Sequence, residues 1–260
     1  MQSEKESLKD YDPSQYDRPS VTVDVLVFTV VGGALHLMME RRNAAPFEGK
    51  WALPGGFIRM DESADEAAER VLFEETGVKG VHMEQLYTFS AVDRDPRMRV
   101  LSVAYIAAVP YDRITFSPGR DVDEIKLFKV SGIDGDGIDT GEKGAVEQDS
   151  SGLSLVSLGG DEAYREDIAF DHSRIIRTAI LRLRGKVVYT DIALRFLDDP
   201  SSFTLTQLKN VYEAILDTKL DNGNFRRMVL RDYVGKGRIV ENGGETTGVG
   251  RPAALYRINM

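Results

Sequence analysis

GGFIRMDESADEAAERVLFEETGV, residues 55–78, decides the fold of the first half of the chain. Ser63 and Glu66 make an S-x-x-E capping box, so the spacing predicts a helix starting there. Ala64, Ala67, Ala68, Val71 and Leu72 then recur at helical spacing and form one apolar stripe. Gly77 is a helix stop. Positions 71, 74 and 75 share one side of that helix, and three carboxylates there would converge on a cation. Position 71 is Val, which widens the apolar stripe instead. Glu74 and Glu75, assisted by Glu62, are left as a weak site for magnesium, a cation that prefers a near-octahedral oxygen shell. For the bare Glu74–Glu75 pair alone, an ordinary amphipathic helix with a solvated Glu pair is the better reading.

Outward from this helix the chain is rich in strands. VTVDVLVFTV (21–30) is dense in β-branched residues, and ALHLMM (34–39) reads as its hairpin mate across Gly32 and Gly33. RRNAAPFEGKWALPGG (41–56) reads as a loop. Further strands are expected at 83–90, 99–109 and 124–130, with 153–158 returning beside 124–130. Residues 131–152 hold six Gly and six Asp+Glu and read as a flexible insert. Asp134, Asp136 and Asp139 resemble a calcium loop superficially, but Ile138 and Asp139 stand where that pattern needs Asp or Asn and then Gly. Residues 172–184 predict a helix with Ile175, Ile176, Ala179, Ile180 and Leu183 on one face.

The C-terminal module follows a different pattern. Thr204 and Gln207 make a second capping box, and Leu205, Leu208, Val211, Tyr212 and Ile215 continue it as a helix. A short turn leads to DNGNFRRMVLRD (221–232), read as a second helix capped by Asp221 or Asn222, with Phe225, Met228 and Val229 inward. GRIV (237–240) and PAALYRI (252–258) are strands joined by a Gly-rich loop. Two helices followed by a β-hairpin make a winged helix, whose second helix enters the DNA major groove in DNA-binding versions. Asn222, Asn224, Arg226 and Arg227 are suitable donors to base edges or phosphates. Lys219 and Arg251 are candidates for phosphate contacts. A winged helix used for protein contacts fits the composition equally well.

The 260 residues carry a net charge of -9, divided unevenly. Residues 171–260 hold 15 Lys+Arg against 10 Asp+Glu, and residues 1–170 hold 18 against 32, so only the last part suits an anionic partner. Cysteine is absent, which excludes disulfides, thiolate metal sites and cysteine nucleophiles. No apolar run reaches the roughly 18 residues of a membrane span, and the polar N-terminus has no signal-peptide core. A soluble, cytoplasmic protein without membrane partners is expected.

The 55–78 segment resembles the Nudix box: Gly56, Glu62, Arg70, Leu72, Glu74, Glu75, Gly77 and Val78 fall on its pattern, and Val71 replaces a Glu that helps hold divalent metal. With FDHSRIIRTAI, RGKVVYTDIALRF, FTLTQLKNVYEAIL, LDNGNFRRMVL and GRPAALYRI behind it, the chain over about 20–258 resembles the Nudix-related transcriptional regulators. The resemblance implies an α/β Nudix sandwich followed by an α+β winged helix-turn-helix domain. The expected organisation is a tail (1–20), an effector-binding domain (21–170), a linker helix and connection (171–200) and a DNA-binding domain (201–260). The resemblance further implies a homodimeric repressor on double-stranded operator DNA, released by ADP-ribose or a related NAD metabolite. No catalytic residue and no required cofactor are expected, with Mg2+ weakly held at most. RDPRMRVLSVAY (94–105) resembles a stretch of ADP-ribose pyrophosphatases, so Arg94, Arg97 and Arg99 are candidates to clamp a diphosphate. Arg41, Arg42 and Trp51 are candidates for phosphate contact or base stacking. Two alternatives stay open: the same regulator responding to a sugar such as arabinose, and an active ADP-ribose pyrophosphatase.

Overall fold

The computed structural model describes residues 12–117, 119, 122–133, 153–246 and 252–259. Arg251 and the insert from Asp134 onward, with its calcium-like aspartates, lie outside the described residues.

Strand β1 (Ser20–Val31) organises the first half. Its side chains alternate between two faces. Val23, Val25 and Val27 join one apolar cluster, while Leu26 and Phe28 join another on the opposite face. A two-residue turn at Gly32 and Gly33, with φ of 58° and 76°, returns the chain as β2 (Ala34–Arg42). Both turn positions need the left-handed region, which glycine enters without steric cost. The sheet continues with β5 (His82–Phe89), β6 (Val100–Ala108), β7 (Val122–Ser131), β8 (Ser154–Ser157) and β9 (Glu162–Ala163), in the order β5-β6-β1-β2-β7-β8-β9. β1 and β6 pair in parallel, and the other neighbours pair antiparallel.

The expected loop 41–56 contains two short strands, β3 (Trp51–Ala52) on β2 and β4 (Gly55–Phe57) on β1. Segments of two or three residues carry no readable period. They become strands because the diverging ends of β1 and β2 offer them open ladders.

Helix α1 (Ala64–Thr76) covers one face of the sheet through Ala67, Ala68, Val71 and Leu72. Its predicted capping box forms at both hydrogen bonds, and Gly77 ends it at φ 67°. Helix α2 (His172–Val187) covers the other face with Ile175, Ile176, Ala179, Ile180 and Leu183, all fully or almost fully buried. Each large aliphatic residue so buried contributes about 2 kcal/mol.

The winged helix consists of α3 (Leu205–Leu216), α4 (Asn222–Val229), β10 (Ile239–Glu245) and β11 (Ala254–Ile258). The second helix was expected to run to residue 232. It stops as α-helix at Val229 and widens into a π-turn over Leu230–Val234. The turn lets Tyr233 face inward, where its hydroxyl meets that of Tyr212 at 2.6 Å and donates to Thr190 O at 3.1 Å. A Cβ at Gly235 would lie 2.8 Å from Arg231 O, so the chain leaves the π-turn through a position that only glycine fills without displacement. One apolar cluster runs from the sheet through α2 to Phe203, Leu208, Phe225 and Tyr256, so the two halves share a core. Among the described residues no helix is long and apolar enough to cross a membrane.

Candidate functional site

Arg70 is the hub of the Nudix box. Its guanidinium donates to Glu62 at 2.6 and 2.9 Å, to Glu74 at 3.2 Å and to Phe57 O at 3.2 Å. Hydrogen bonding from Arg70, joined by the Arg59 backbone N–H, holds the Glu62 carboxyl down at about 2. Glu74 also lies 3.7 Å from Arg59. Glu75 turns towards the 115–119 segment, accepts a backbone bond from Gly119, and has its carboxyl pushed up by burial. The expected sharing of a cation by Glu62, Glu74 and Glu75 therefore gives way to two acids meeting on an arginine and a third facing elsewhere. Adjacent helix positions point about 100° apart, which separates Glu74 from Glu75. Val71 is buried, and its Cγ2 lies 3.5 Å from where a Cβ on Gly56 would stand. Among the described residues no group of three or more His, Cys, Asp or Glu is arranged to hold a metal.

Beside this hub lies a cluster of arginines and phenylalanines. The Arg42 and Arg97 guanidinium carbons stand 5.2 and 5.8 Å from the centroid of the Phe170 ring. Phe170 packs edge-on to Phe47 at 4.7 Å, and Arg97 also reaches Phe57 at 6.0 Å. Phe47 and Phe170 both have positive φ, 64° and 53°, a conformation rare for a bulky side chain and held only by its surroundings. Arg42 donates to Pro46 O and Ala44 O, and Arg97 is forked on Asp95.

The other predicted ligand contacts fall in different surroundings. Arg94 is no solvent-facing clamp: its side chain is 4% exposed and bonds Asp171 at 2.7 and 3.1 Å and Asp24 at 3.4 Å. Burial works against its charge, but the two aspartates outweigh this and hold it more firmly protonated. Ser102 donates to Asp24, and His172 stands 3.6 Å away on the same carboxylate. The opposite ring nitrogen of His172 accepts the Leu53 N–H at 2.9 Å, and full burial pushes this imidazole down towards its neutral form. Asp24 projects from β1 on the same face as Leu26 and Phe28, which aims a carboxylate at the start of α2. Arg99 ties the 90–100 loop through Ser90 O and Ala91 O. Arg41 is exposed and bonds Gly49 O. Trp51 is buried against Phe128, beneath Lys126, and offers no open face for a base.

A cavity of about 180 Å3 lies elsewhere, between Gly32, Gly33, Phe196 and α3. Its charged lining is Asp198 and Asp199, which repel an anion.

In the winged helix, Phe225 and Val229 are buried and Asn222, Asn224, Arg226 and Arg227 are exposed, so α4 presents amides and guanidiniums along one edge. Arg227 donates to Asn224 Oδ1. Lys219 is exposed and pairs with Glu213 at 3.0 Å.

Residues 200–258 match the NrtR DNA-binding winged helix domain, and residues 18–145 match the NUDIX domain. Over 261 aligned positions the chain is 31% identical to the ADPR responsive transcriptional repressor NtrR of Acinetobacter baylyi, covering 99% of this chain and 89% of that one. The chain belongs to the NrtR family. Among solved structures it is similar to Shewanella oneidensis NrtR complexed with a 27mer DNA, at 29% identity and TM-score 0.67, covering 92% and 93% of the two chains. A MutT/nudix family protein from Enterococcus faecalis is similar at 26% identity and TM-score 0.72, covering 99% and 94%. The fold of this NrtR-family chain is thus a Nudix mixed sheet followed by a winged helix, as the resemblance implied. Sequence reading missed Asp24, Phe47, Phe170, Asp171 and His172. The only local signal is Asp24 inside an otherwise apolar strand, where a charged residue needs a buried partner.

Proposed function

We propose that this protein is an ADP-ribose-responsive transcriptional repressor that binds operator DNA through α4 and its wing. One observation carries the reading: a helix presenting Asn222, Asn224, Arg226 and Arg227 shares a continuous core with a Nudix half that buries Val71 where the Nudix pattern has a Glu. The repressor relative and the DNA-bound structure support it. Arg226 and Arg227 supply phosphate or guanine contacts, the Asn side chains supply amide contacts, and Lys219 supplies backbone attraction. Arg42 and Arg97 receive the diphosphate of the effector, since guanidinium forks match phosphate oxygens. The Nudix half requires no metal and does not cleave the effector, because Glu62 and Glu74 are already neutralised by arginines and Glu75 faces away.

A mobility shift on DNA from the protein's own upstream region, at fixed salt, tests this. Binding that ADP-ribose releases is the expected result. Binding that ADP-ribose leaves unchanged redirects the effector to another ligand, such as a sugar. Magnesium-dependent hydrolysis of ADP-ribose by the wild-type chain overturns the non-enzymatic part.

A further inference from the structure

We propose that the corner Phe170–Asp171–His172 is the relay through which occupancy of the arginine cleft reaches the winged helix. This rests on the reading of that cleft as the effector site.

Three consecutive residues grip three different parts of the Nudix half. Phe170 carries Arg42 and Arg97 on its ring and Phe47 at its edge. Asp171 holds the buried Arg94. His172 accepts the Leu53 N–H from the segment just before the Nudix box. On the other side, Ala169 donates its N–H to Trp51 O at 2.8 Å. The backbone is therefore held before and after Phe170, at φ 53°, on either side of the ring that the two guanidiniums cover. Asp171 stands at the N-cap of α2 but makes no side-chain capping bond, because its carboxylate is committed to Arg94. The start of the helix is thus held by the cleft network.

The far end of α2 meets both halves: Lys186 pairs with Glu84 of β5 at 2.6 Å, and the neighbouring contacts reach the winged helix. Arg184 donates to Ile215 O, the last turn of α3, at 3.1 Å. Thr190, just beyond α2, receives Tyr233 from the π-turn after α4. Asp191 pairs with Arg238 at 2.6 Å. A 16-residue helix packed along its length acts as a rod about 24 Å long. An anion that draws Arg42 and Arg97 to itself changes what Phe170 packs against, and the rod converts that change into a displacement of α3 and α4. Such a switch operates only if the effector binds the two arrangements with different affinity.

The test measures operator affinity by fluorescence anisotropy for the full chain, without and with saturating ADP-ribose. At saturation a weaker effector affinity does not enter the ratio. In wild type the two operator affinities are expected to differ by roughly 5–150-fold. In Phe170→Ala the ratio is expected to fall below about twofold, the difference the effector makes having been lost. A wild-type ratio in Phe170→Ala overturns the relay. Failure to reach saturation in a calorimetric titration also overturns it, by making the ring an effector contact. If Phe170→Ala does not fold, amide exchange on the wild type decides. ADP-ribose must change protection at the first turn of α2 and in α4 together, and a change confined to the cleft overturns the relay. A wild type that binds its operator and ignores ADP-ribose overturns the effector reading itself, a result separable from the others.

Discussion

Arg94 and the pair Arg226–Arg227 are the same chemistry put to opposite uses. Arg94 is buried, forked on Asp171 and close to Asp24 of the interior strand β1. Arg226 and Arg227 stand exposed, and among the described residues neither forms an ion pair. A buried charge must be matched inside the protein, because removing one partner leaves the other desolvated. An exposed charge costs little and remains available to a partner. The two regions differ accordingly in what a substitution should disturb: the fold in one, association in the other. Arg42 and Arg97 lie between these limits: both stand over Phe170, Arg42 donates to two carbonyls, and Arg97 is forked on Asp95 with its side chain 41% exposed.

The comparison breaks most visibly at Arg94. Arg94→Ala leaves Asp24 and Asp171 without their buried counter-charge and is expected to lower stability by about 3–5 kcal/mol. A shifted urea midpoint with an unchanged slope checks this, and a near-native midpoint would mean that the pair is solvated. Next is Val71→Glu, which inserts a carboxylate among Val23, Val25 and Ala67. It should cost about 3 kcal/mol, read as a lower Tm, and give no magnesium-dependent release of AMP from ADP-ribose. Cleavage by this variant would show that one missing ligand alone silences the box. Arg226→Ala combined with Arg227→Ala should leave Tm within a few degrees but weaken operator binding by roughly 100-fold, and should reduce the slope against log salt by about 2. An unchanged slope would place the DNA elsewhere.

Acid sharpens the contrast within the Nudix half. Glu84 is held at about 2, first by His82 and then by Lys186 of α2, against an ordinary 4.5. A depressed carboxylate contributes stability above its unfolded value, and that contribution is lost as pH falls from 4.5 towards 2. His172 is pushed below 6.5 by burial, so the unfolded chain binds its proton more readily, and stability is lost as pH falls below 6.5. Both groups act in the same direction. Urea melts between pH 7 and pH 2 should show stability falling below pH 6.5 and falling again below 4.5, and His172→Asn should flatten the upper part of that curve. The smallest effect belongs to Arg97→Ala. Its own side chain is 41% exposed, but the Asp95 carboxylate is 4% exposed and keeps, among the described residues, only the backbone N–H of position 97, so stability should fall by about 1–2 kcal/mol. ADP-ribose affinity should nevertheless drop roughly tenfold, measured by calorimetry.

Much of this architecture is legible in local sequence because its signals are local. The Ser63–Glu66 and Thr204–Gln207 boxes each span four residues and form as written. The apolar stripe of 172–184 reports a buried helix face, and the β-branched density of 21–30 reports a strand that proves buried on both sides. β3 and β4 were not legible, since they exist only through pairing with β1 and β2. The π-turn after α4 was not legible either, because the inward pull on Tyr233 comes from Tyr212 and Thr190, residues distant in sequence. The arginines of the candidate site could be named from the run 94–99 but not sorted. Arg94, Arg97 and Arg99 alternate along an irregular loop, and nothing in that spacing says which one meets Asp24.

By itself the sequence determined the main strands, the helix starts at Ser63 and Thr204, the pairing of a Nudix box with a winged helix, and the presence of Val71 where the Nudix pattern has a Glu. These follow from periodicity, capping and composition, which act over a few residues. Only the tertiary structure decided which charges are sealed and which are offered. It turned Asp24, Arg94, Asp171 and His172 into one buried network, closed Arg70 on Glu62 and Glu74, and set Phe170 beneath two guanidiniums. The physical reason is that a charge's role depends on its desolvation and on its partners, and both are fixed by residues far along the chain, as for Asp24 and Asp171, 70 and 77 positions from Arg94.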